Sequence, residues 1–387
     1  MRVLIIDILR YVPSGMSYYS MFHLYNLLAK NGYNVDIIKY PLYDNPKKID
    51  VIDFQTALTK KYDIIFVSSL LGFEYVSKYV KKTKEDPKIV IIDVDDYLEK
   101  LIKKTSPLDF KTKQILKYFV STLHTDDICL TSNYEEMRAI RSYFGINTEY
   151  IQPYIDESFF INDGSELKDS FSNPALFSNK IDYKQNSLDL FIKAVKYIKN
   201  KTDFIEKHNL LIDVTAFGND YSKFVKEVNK QKLSDYFRFV SIVPYENYPE
   251  YLRKHKFTIV LPKNDNMHSR IILESMASGV PVLIDSSFNK HSDPYIRAFM
   301  SRDSIFSADT MNETVKDTLN GFVFESGNPV DLAEKIMLMS SQDLADVKRN
   351  AFETALKFKP IYFDTRILDI VKIIVEKSNK DRVMSEI

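Results

Sequence analysis

The sequence predicts an α/β protein of two domains, each built on a mainly parallel sheet. Three observations lead there. First, 387 residues with 45% hydrophobic content, including 25 Tyr and 26 Phe, exceed what one core usually holds and supply material for two. Second, short apolar runs alternate with amphipathic segments, the pattern of strand–helix–strand units. Third, the polar stretch Ser158 to Pro174, with Asn162, Asp163, Gly164, Ser165, Ser170 and Ser172, separates two such series and reads as a linker. The boundary is accordingly set between domains 1–165 and 166–361.

In the first series, Val3 to Ile6 is an unbroken apolar strand. Ser17 to Asn31 follows as a helix, because Tyr18, Phe22, Tyr25 and Leu28 recur at near-helical spacing and Asn31-Gly32 supplies a left-handed stop. Val35 to Ile38, Ile64 to Val67 and Ile89 to Ile92 are further buried strands. Asp127 to Leu130 runs into Thr131 to Glu136, a helix start with a capping residue and early acids. The second series opens with the strand Leu176-Phe177, the amphipathic helix Ser187 to Tyr197, and strands Leu211 to Phe217, Phe237 to Ile242 and Thr258 to Leu261. Gly321 to Phe324 is a late strand, Asn328-Pro329 starts a helix, and Thr365 to Asn379 is the terminal one.

Composition excludes several classes. Lys plus Arg and Asp plus Glu both number 53, so there is no global attraction to nucleic acid or to a membrane. Cys129 is alone, which rules out an intramolecular disulfide and a cysteine zinc cage; it is assigned to the core and fits a reducing, cytoplasmic setting. No apolar run has the length of a membrane span, and Met-Arg-Val-Leu-Ile-Ile-Asp is unlike a signal peptide. His23, His124, His208, His255, His268 and His291 include no pair at ligand spacing. With only 9 Gly, neither a dinucleotide fingerprint nor a phosphate-binding Walker loop is present, against dehydrogenases and P-loop enzymes.

The most informative stretch is Asp265 to Ile284, which reads as loop, short helix, glycine stop and strand. Ile271, Ile272, Ser275, Met276 and Gly279 form one apolar face, and Gly279 ends the helix before Val280 to Ile284. A helix opening after a polar loop directs its free N–H groups into it, so Met267, His268, Ser269 and Arg270 form an anion site suited to a phosphate. Glu274, one turn further in, is placed to accept bonds from hydroxyls. The competing reading of Glu274 is a pair with Arg270 on an exposed helix face, worth a few tenths of a kcal/mol.

This segment resembles the donor-sugar signature of retaining glycosyltransferases of the GT-B fold, the glycosyl transferases group 1 that include glycogen synthases and many mannosyltransferases. That signature is Glu, seven residues, Glu, then a small-residue helix end with Gly-x-Pro-Val. Here Glu274 and Gly279-Val280-Pro281-Val282 match, while the first Glu position falls on Asn266. The resemblance implies two Rossmann-like domains with parallel sheets facing a central cleft, the donor bound by the second and the acceptor by the first. It further implies that the terminal segment, about 362–387, packs back on the first domain.

The resemblance also implies site residues. Glu274 would hold the donor ribose hydroxyls, with Asn266, Met267, His268, Ser269, Arg270 and Tyr245 also on the donor side. In Asn179-Lys180-Ile181-Asp182-Tyr183-Lys184, Lys184 fits the family's diphosphate lysine, and the preceding Arg position falls on Asn179, with Lys180 adjacent. Cations there stabilise charge on the departing diphosphate, although Lys lacks the bidentate fork of Arg. Gly15, in a loop where relatives carry a glycine pair, is either a phosphate loop or an ordinary turn. In Asp93-Val94-Asp95-Asp96, where relatives carry a His, Asp95 or Asp96 orients an acceptor hydroxyl, or Asp96 simply caps a helix.

The implied activity is transfer of a sugar from a nucleotide donor, UDP-linked, to a hydroxyl acceptor with retention. The acceptor is expected to be a saccharide; no cofactor is required, and a divalent metal is not expected, although the strand-terminal acids Asp93-Val94-Asp95-Asp96 leave one open. Two alternatives stay open. Lys100, Lys103, Lys104, Lys111, Lys113 and Lys117 form a basic stretch suited to DNA phosphates or an anionic membrane surface, as in phage enzymes of this fold that glucosylate DNA bases. Asn266 and the missing His instead fit a non-catalytic nucleotide-sugar or glycan binder.

Overall fold

The computed structural model describes residues 1–7, 16–39, 51–68, 72–92, 122–124, 127–131, 137, 140–142, 145–151, 154–161, 174–178, 180–208, 210–263, 269–286, 315 and 317–385. The chain divides into two compact units, Met1–Tyr154 with Pro360–Ile387, and Ile155–Lys359.

The first unit holds a seven-stranded parallel sheet of order β3-β2-β1-β4-β5-β6-β7. Its strands are β1 (Arg2–Asp7), β2 (Asn34–Lys39), β3 (Val51–Ile52), β4 (Ile64–Ser68), β5 (Lys88–Ile92), β6 (Ile128–Thr131) and β7 (Asn147–Tyr150). Its central strands carry unbroken apolar runs, Val3 to Ile6, Ile64 to Val67 and Ile89 to Ile92, because both faces are covered. Alternation then sorts the side chains. Val3 and Ile5 point into a core with Phe22 and Leu28 of α1 (Met16–Lys30) and with Phe363, Ile367, Ile370 and Val371 of the terminal helix (Pro360–Ser385). Leu4 and Ile6 point the other way, onto Phe73, Val76 and Tyr79 of the helix Phe73–Thr83. Cys129 is fully buried on that second face. His23 of α1 bonds Asp364 of the terminal helix at 2.5 Å and stacks on Tyr154, and Arg366 pairs with Glu149 of β7.

The second unit repeats the plan with a six-stranded parallel sheet of order β10-β9-β8-β11-β12-β13. These strands are β8 (Ala175–Phe177), β9 (Ile212–Thr215), β10 (Phe237–Val240), β11 (Thr258–Val260), β12 (Val282–Asp285) and β13 (Gly321–Phe324). The helices between them, numbered on from α1, α2 (Phe54–Ala57) and α3 (Phe73–Thr83), are α4 (Leu188–Lys199), α5 (Thr202–Lys207), α6 (Tyr221–Lys230), α7 (Tyr248–Arg253) and α8 (Ser269–Ala277). After β13 come α9 (Pro329–Ser341), α10 (Ala345–Ala355) and the terminal helix, α11. Aromatic rings fill the core under α4: Phe177 and Phe191 stack at 4.8 Å, and Phe224 and Phe237 meet edge to face at 5.8 Å. Asn328 caps α9 by accepting from the Val330 and Asp331 amides.

Several expectations need adjustment. The split falls at Tyr154–Ile155, earlier than the expected boundary. Ser158 to Ile161, expected to start a linker, instead includes the end of the 3-10 turn Glu157–Phe159 capped by Asp156, with Phe159 and Phe160 buried in the second unit. The rest of that stretch up to 173 lies outside the described residues. The terminal helix begins at Pro360, ahead of the expected Thr365. Strands β3 and β7 had no apolar run to announce them.

Candidate active site

Open parallel sheets place ligands at the carboxyl ends of their strands, where the strand order reverses. In the second unit that point lies between β8 and β11, and the loops leaving these two strands are laced together. Ser187 N–H donates to Leu261 O at 2.9 Å, Lys263 N–H to Gln185 O at 2.8 Å, and Lys263 Nζ to Tyr183 O at 2.6 Å.

The loop after β8 is ordered by one acid. Buried Asp182 accepts the Lys184 amide at 2.9 Å on Oδ1, while Asn186 donates its side-chain amide to Lys180 O at 2.7 Å. The neighbouring loop closes on it: Ile181 N–H bonds Phe217 O at 2.7 Å and the Tyr183 amide bonds Asp220 at 2.9 Å. Gly218, at φ +134°, makes this approach feasible, because a Cβ there would lie 2.2 Å from Ile181 O. Lys184 is left exposed, and Lys180 Nζ stands 3.9 Å from Asp182. Burial pushes the Tyr183 hydroxyl up to about 12, with Asp189, Glu227 and Asp220 adding to the effect.

Helix α8 carries the second group. It is held to the sheet by Ser275, whose hydroxyl bonds Thr258 of β11 at 2.7 Å, and it ends in the expected glycine stop, with Gly279 at φ +68°. Glu274 and Arg270 share one face, but that face is buried: their side chains are 3% and 10% exposed. Arg270 Nε donates to Glu274 Oε1 at 2.8 Å, the Tyr245 hydroxyl donates to the same oxygen at 3.2 Å, and Arg270 Nη2 donates to the Tyr245 hydroxyl at 2.9 Å. The pairing of Glu274 with Arg270 is therefore real, while the surface pair weighed from the sequence is replaced by a buried one. Burial pushes the Glu274 carboxyl above the usual glutamate range, and Arg270 and Tyr245 offset only part of that rise.

An aromatic wall adjoins this triad. Phe159 packs its ring on Tyr245 at 5.5 Å and on Tyr248 at 6.3 Å, and the Tyr248 hydroxyl bonds Ser178, just past β8, at 2.7 Å. Burial raises the Tyr248 hydroxyl, with the Glu274 charge adding to it. Tyr248, Ser178, Phe159 and Lys263 were not singled out in the sequence. Lys263 had a readable signal, a cation directly after the strand and proline that end in Pro262, whereas the others are ordinary residues made notable only by packing.

Of the sequence candidates, Tyr245, Arg270 and Glu274 come together, and Lys180 and Lys184 share the loop after β8. Ser269 opens α8. Gly15, Asp95, Asp96, Asn266, Met267 and His268, and the basic stretch from Lys100 to Lys117, lie outside the described residues. Among the described residues no group of three His, Cys, Asp or Glu is arranged to hold a metal, and no helix is long and apolar enough to cross a membrane.

Residues 161–290 match the family described as Glycosyl transferases group 1. No curated protein sequence matches the chain. Among solved structures, the chain is similar to a sucrose-phosphate synthase from Thermosynechococcus elongatus at TM-score 0.66 and 12% identity, covering 97% of this chain and 100% of that one. It is also similar to Anabaena HepE in complex with UDP and glucose, at TM-score 0.62 and 13% identity over 96% and 99% of the two chains. A lipopolysaccharide outer core galactosyltransferase, WaaB, gives TM-score 0.59 and 11% identity over 96% and 99%. Residues 161–290 thus carry the features of a glycosyl transferases group 1 domain, set within two parallel-sheet Rossmann-like units of the GT-B fold.

Proposed function

We propose that the second unit binds a nucleoside-diphosphate sugar, UDP-linked, and that the enzyme passes its glycosyl group to a hydroxyl of a saccharide with retention of anomeric configuration. The observation that carries this reading is the buried Glu274 carboxylate at the carboxyl edge of the sheet, which among the described residues accepts bonds on Oε1 and none on Oε2. A carboxylate only accepts, so it suits ribose hydroxyls and repels phosphate. The charge that builds on the diphosphate as the glycosyl bond breaks belongs instead beside Lys184 and Lys180, on the adjoining loop.

The HepE structures hold UDP with glucose, or UDP-glucose, which supports a UDP-linked donor. The names of the sucrose-phosphate synthase and the outer core galactosyltransferase support a saccharide acceptor. The single buried Cys129 fits a reducing compartment, and we place the enzyme in the cytoplasm. Retention accords with a protein that orients donor and acceptor and stabilises the leaving group. The test is to incubate the full chain with a panel of nucleotide sugars and saccharides and follow nucleoside diphosphate release, with product anomeric configuration read by NMR. Release from a UDP-sugar with a retained product is expected. Donor binding that shifts the melting temperature without any release would overturn the reading.

A further inference from the structure

Free of other constraints, a guanidinium meeting a carboxylate favours the fork, two parallel bonds to both oxygens. Arg270 does otherwise. It gives Nε to Glu274 Oε1 and Nη2 to the Tyr245 hydroxyl, and that hydroxyl in turn donates to Oε1. The three side chains close a ring on a single oxygen. Among the described residues Oε2 receives no bond.

A buried ion pair is a poor way to hold a helix in place, since well-packed apolar side chains of similar size do it as well or better. Ser275 already fixes α8 to β11 and to the chain entering β12, by bonds to Thr258 and to Val280 O. The ring does what those bonds cannot, which is to set the rotation of the carboxylate. The geometry points to Arg270 as a positioning residue that, together with Tyr245, turns Glu274 so that Oε2 alone meets the donor and reads its ribose diol. This rests on the donor reading proposed above. It adds that ribose selectivity depends on Arg270, a residue that itself need not touch the ligand.

Among the described residues, the groups facing Glu274 are Arg270, Tyr245, Tyr248 and Asp156. Of these only Arg270 brings positive charge, while Asp156 raises the carboxyl further. Loss of the guanidinium therefore misorients the carboxylate and also lets it take up a proton at higher pH, and a protonated carboxyl is a weaker acceptor for a diol.

The experiment uses UDP and its 2′-deoxy and 3′-deoxy analogues as probes, with affinities measured by calorimetry on the full-length protein. The unmodified enzyme should prefer UDP over at least one deoxy analogue by about tenfold or more, the size of a hydrogen bond to a charged group. Arg270→Gln should collapse that preference toward unity, raise the donor KM more than it lowers kcat, and make KM climb as pH falls. Arg270→Lys should restore part of the preference. Because removing a buried cation endangers the fold, Tyr245→Phe and the neutral pair Arg270→Gln/Glu274→Gln accompany it. Tyr245→Phe should reduce the preference partially, and the double variant should show no more loss than Glu274→Gln alone, since both act through one carboxylate. An unchanged UDP-to-deoxy ratio in Tyr245→Phe and in whichever Arg270 variant folds would overturn the proposal, as would additive losses in the double variant. An unmodified enzyme that fails to bind UDP would instead defeat the donor reading.

Discussion

Asp213→Asn is expected to destabilise the second unit, and to do so only where the native carboxylate is ionised. Asp213 sits on β9 directly opposite Arg238 of β10, which forks both its oxygens at 2.7 Å. His255 Nε2 lies 3.1 Å from Oδ2, and the Tyr251 hydroxyl donates to the same oxygen at 3.2 Å. The two sides are not equal. Arg238 is 55% exposed, so its share is screened and contributes at most about 1 kcal/mol. His255 is 1% exposed, and setting an amide N–H against its ring nitrogen leaves a buried hydrogen-bonding group without its partner, a cost of about 1–3 kcal/mol. A loss of about 3 kcal/mol corresponds to about 6–12 °C in a unit of this size. Burial alone would raise the Asp213 carboxyl, but the bonds from His255 and Arg238 outweigh it and hold the group below its ordinary value of 3.8. A depressed carboxyl contributes stability above its unfolded pKa and loses it as pH falls through the folded one. Calorimetric melting of both proteins should therefore show the full gap at pH 7 and a gap that narrows below about pH 4. A gap that does not change with pH, or one under about 2 °C at pH 7, would refute the assignment.

Further expectations concern the site and the unit boundary. Glu274→Gln should weaken donor binding by about tenfold and also lower the melting temperature, because its partner Arg270 is buried; an unchanged melting curve would contradict the buried triad. Lys184→Ala should lower turnover more than donor affinity, since leaving-group charge peaks in the transition state, and steady-state kinetics will show which parameter moves. Gly218→Ala forces a side chain against Ile181 O and should cost about 1–3 kcal/mol, read by thermal melting. A fragment spanning Ile155–Lys359 should unfold cooperatively in urea, and a non-cooperative transition would count against the division.

Much of this architecture was legible because parallel strands buried on both faces are written as unbroken apolar runs. Val3 to Ile6, Ile64 to Val67 and Ile89 to Ile92 are such runs, and each is a strand. Gly279 marked the end of α8 because its stop needs positive φ, which glycine adopts without strain. β7 escaped notice since Asn-Thr-Glu-Tyr lies at the sheet edge with only Thr148 fully buried, so its sequence carries no run. The site was legible only as a set of residue types. Glu274 and Arg270 stand four apart on any helix, and nothing local distinguishes an exposed pair from a buried one. Burial came from the surrounding packing and from Tyr245, twenty-nine residues upstream of Glu274. The role of Asp182 as a loop organiser was equally hidden, because the partners that shape the loop, the Lys184 and Gln185 amides, belong to the backbone.

The terminal helix gives the chain an order of assembly. Phe363, Ile367, Ile370, Val371 and Ile374 complete the core that Val3, Ile5, Phe22 and Leu28 begin. During synthesis the first of these partners waits for the last, while the whole of Ile155–Lys359 is made in between. The second unit can therefore close on the ribosome first, reversing the usual sequence in which the N-terminal domain leads. Until Pro360 onward emerges, the face of the first sheet that α1 shares with the terminal helix stays incompletely covered, and a ribosome that stalls after Lys359 leaves a finished second unit tied to an unfinished first one. Quality control would thus fall on the first unit, whose core is completed after the second unit has been made.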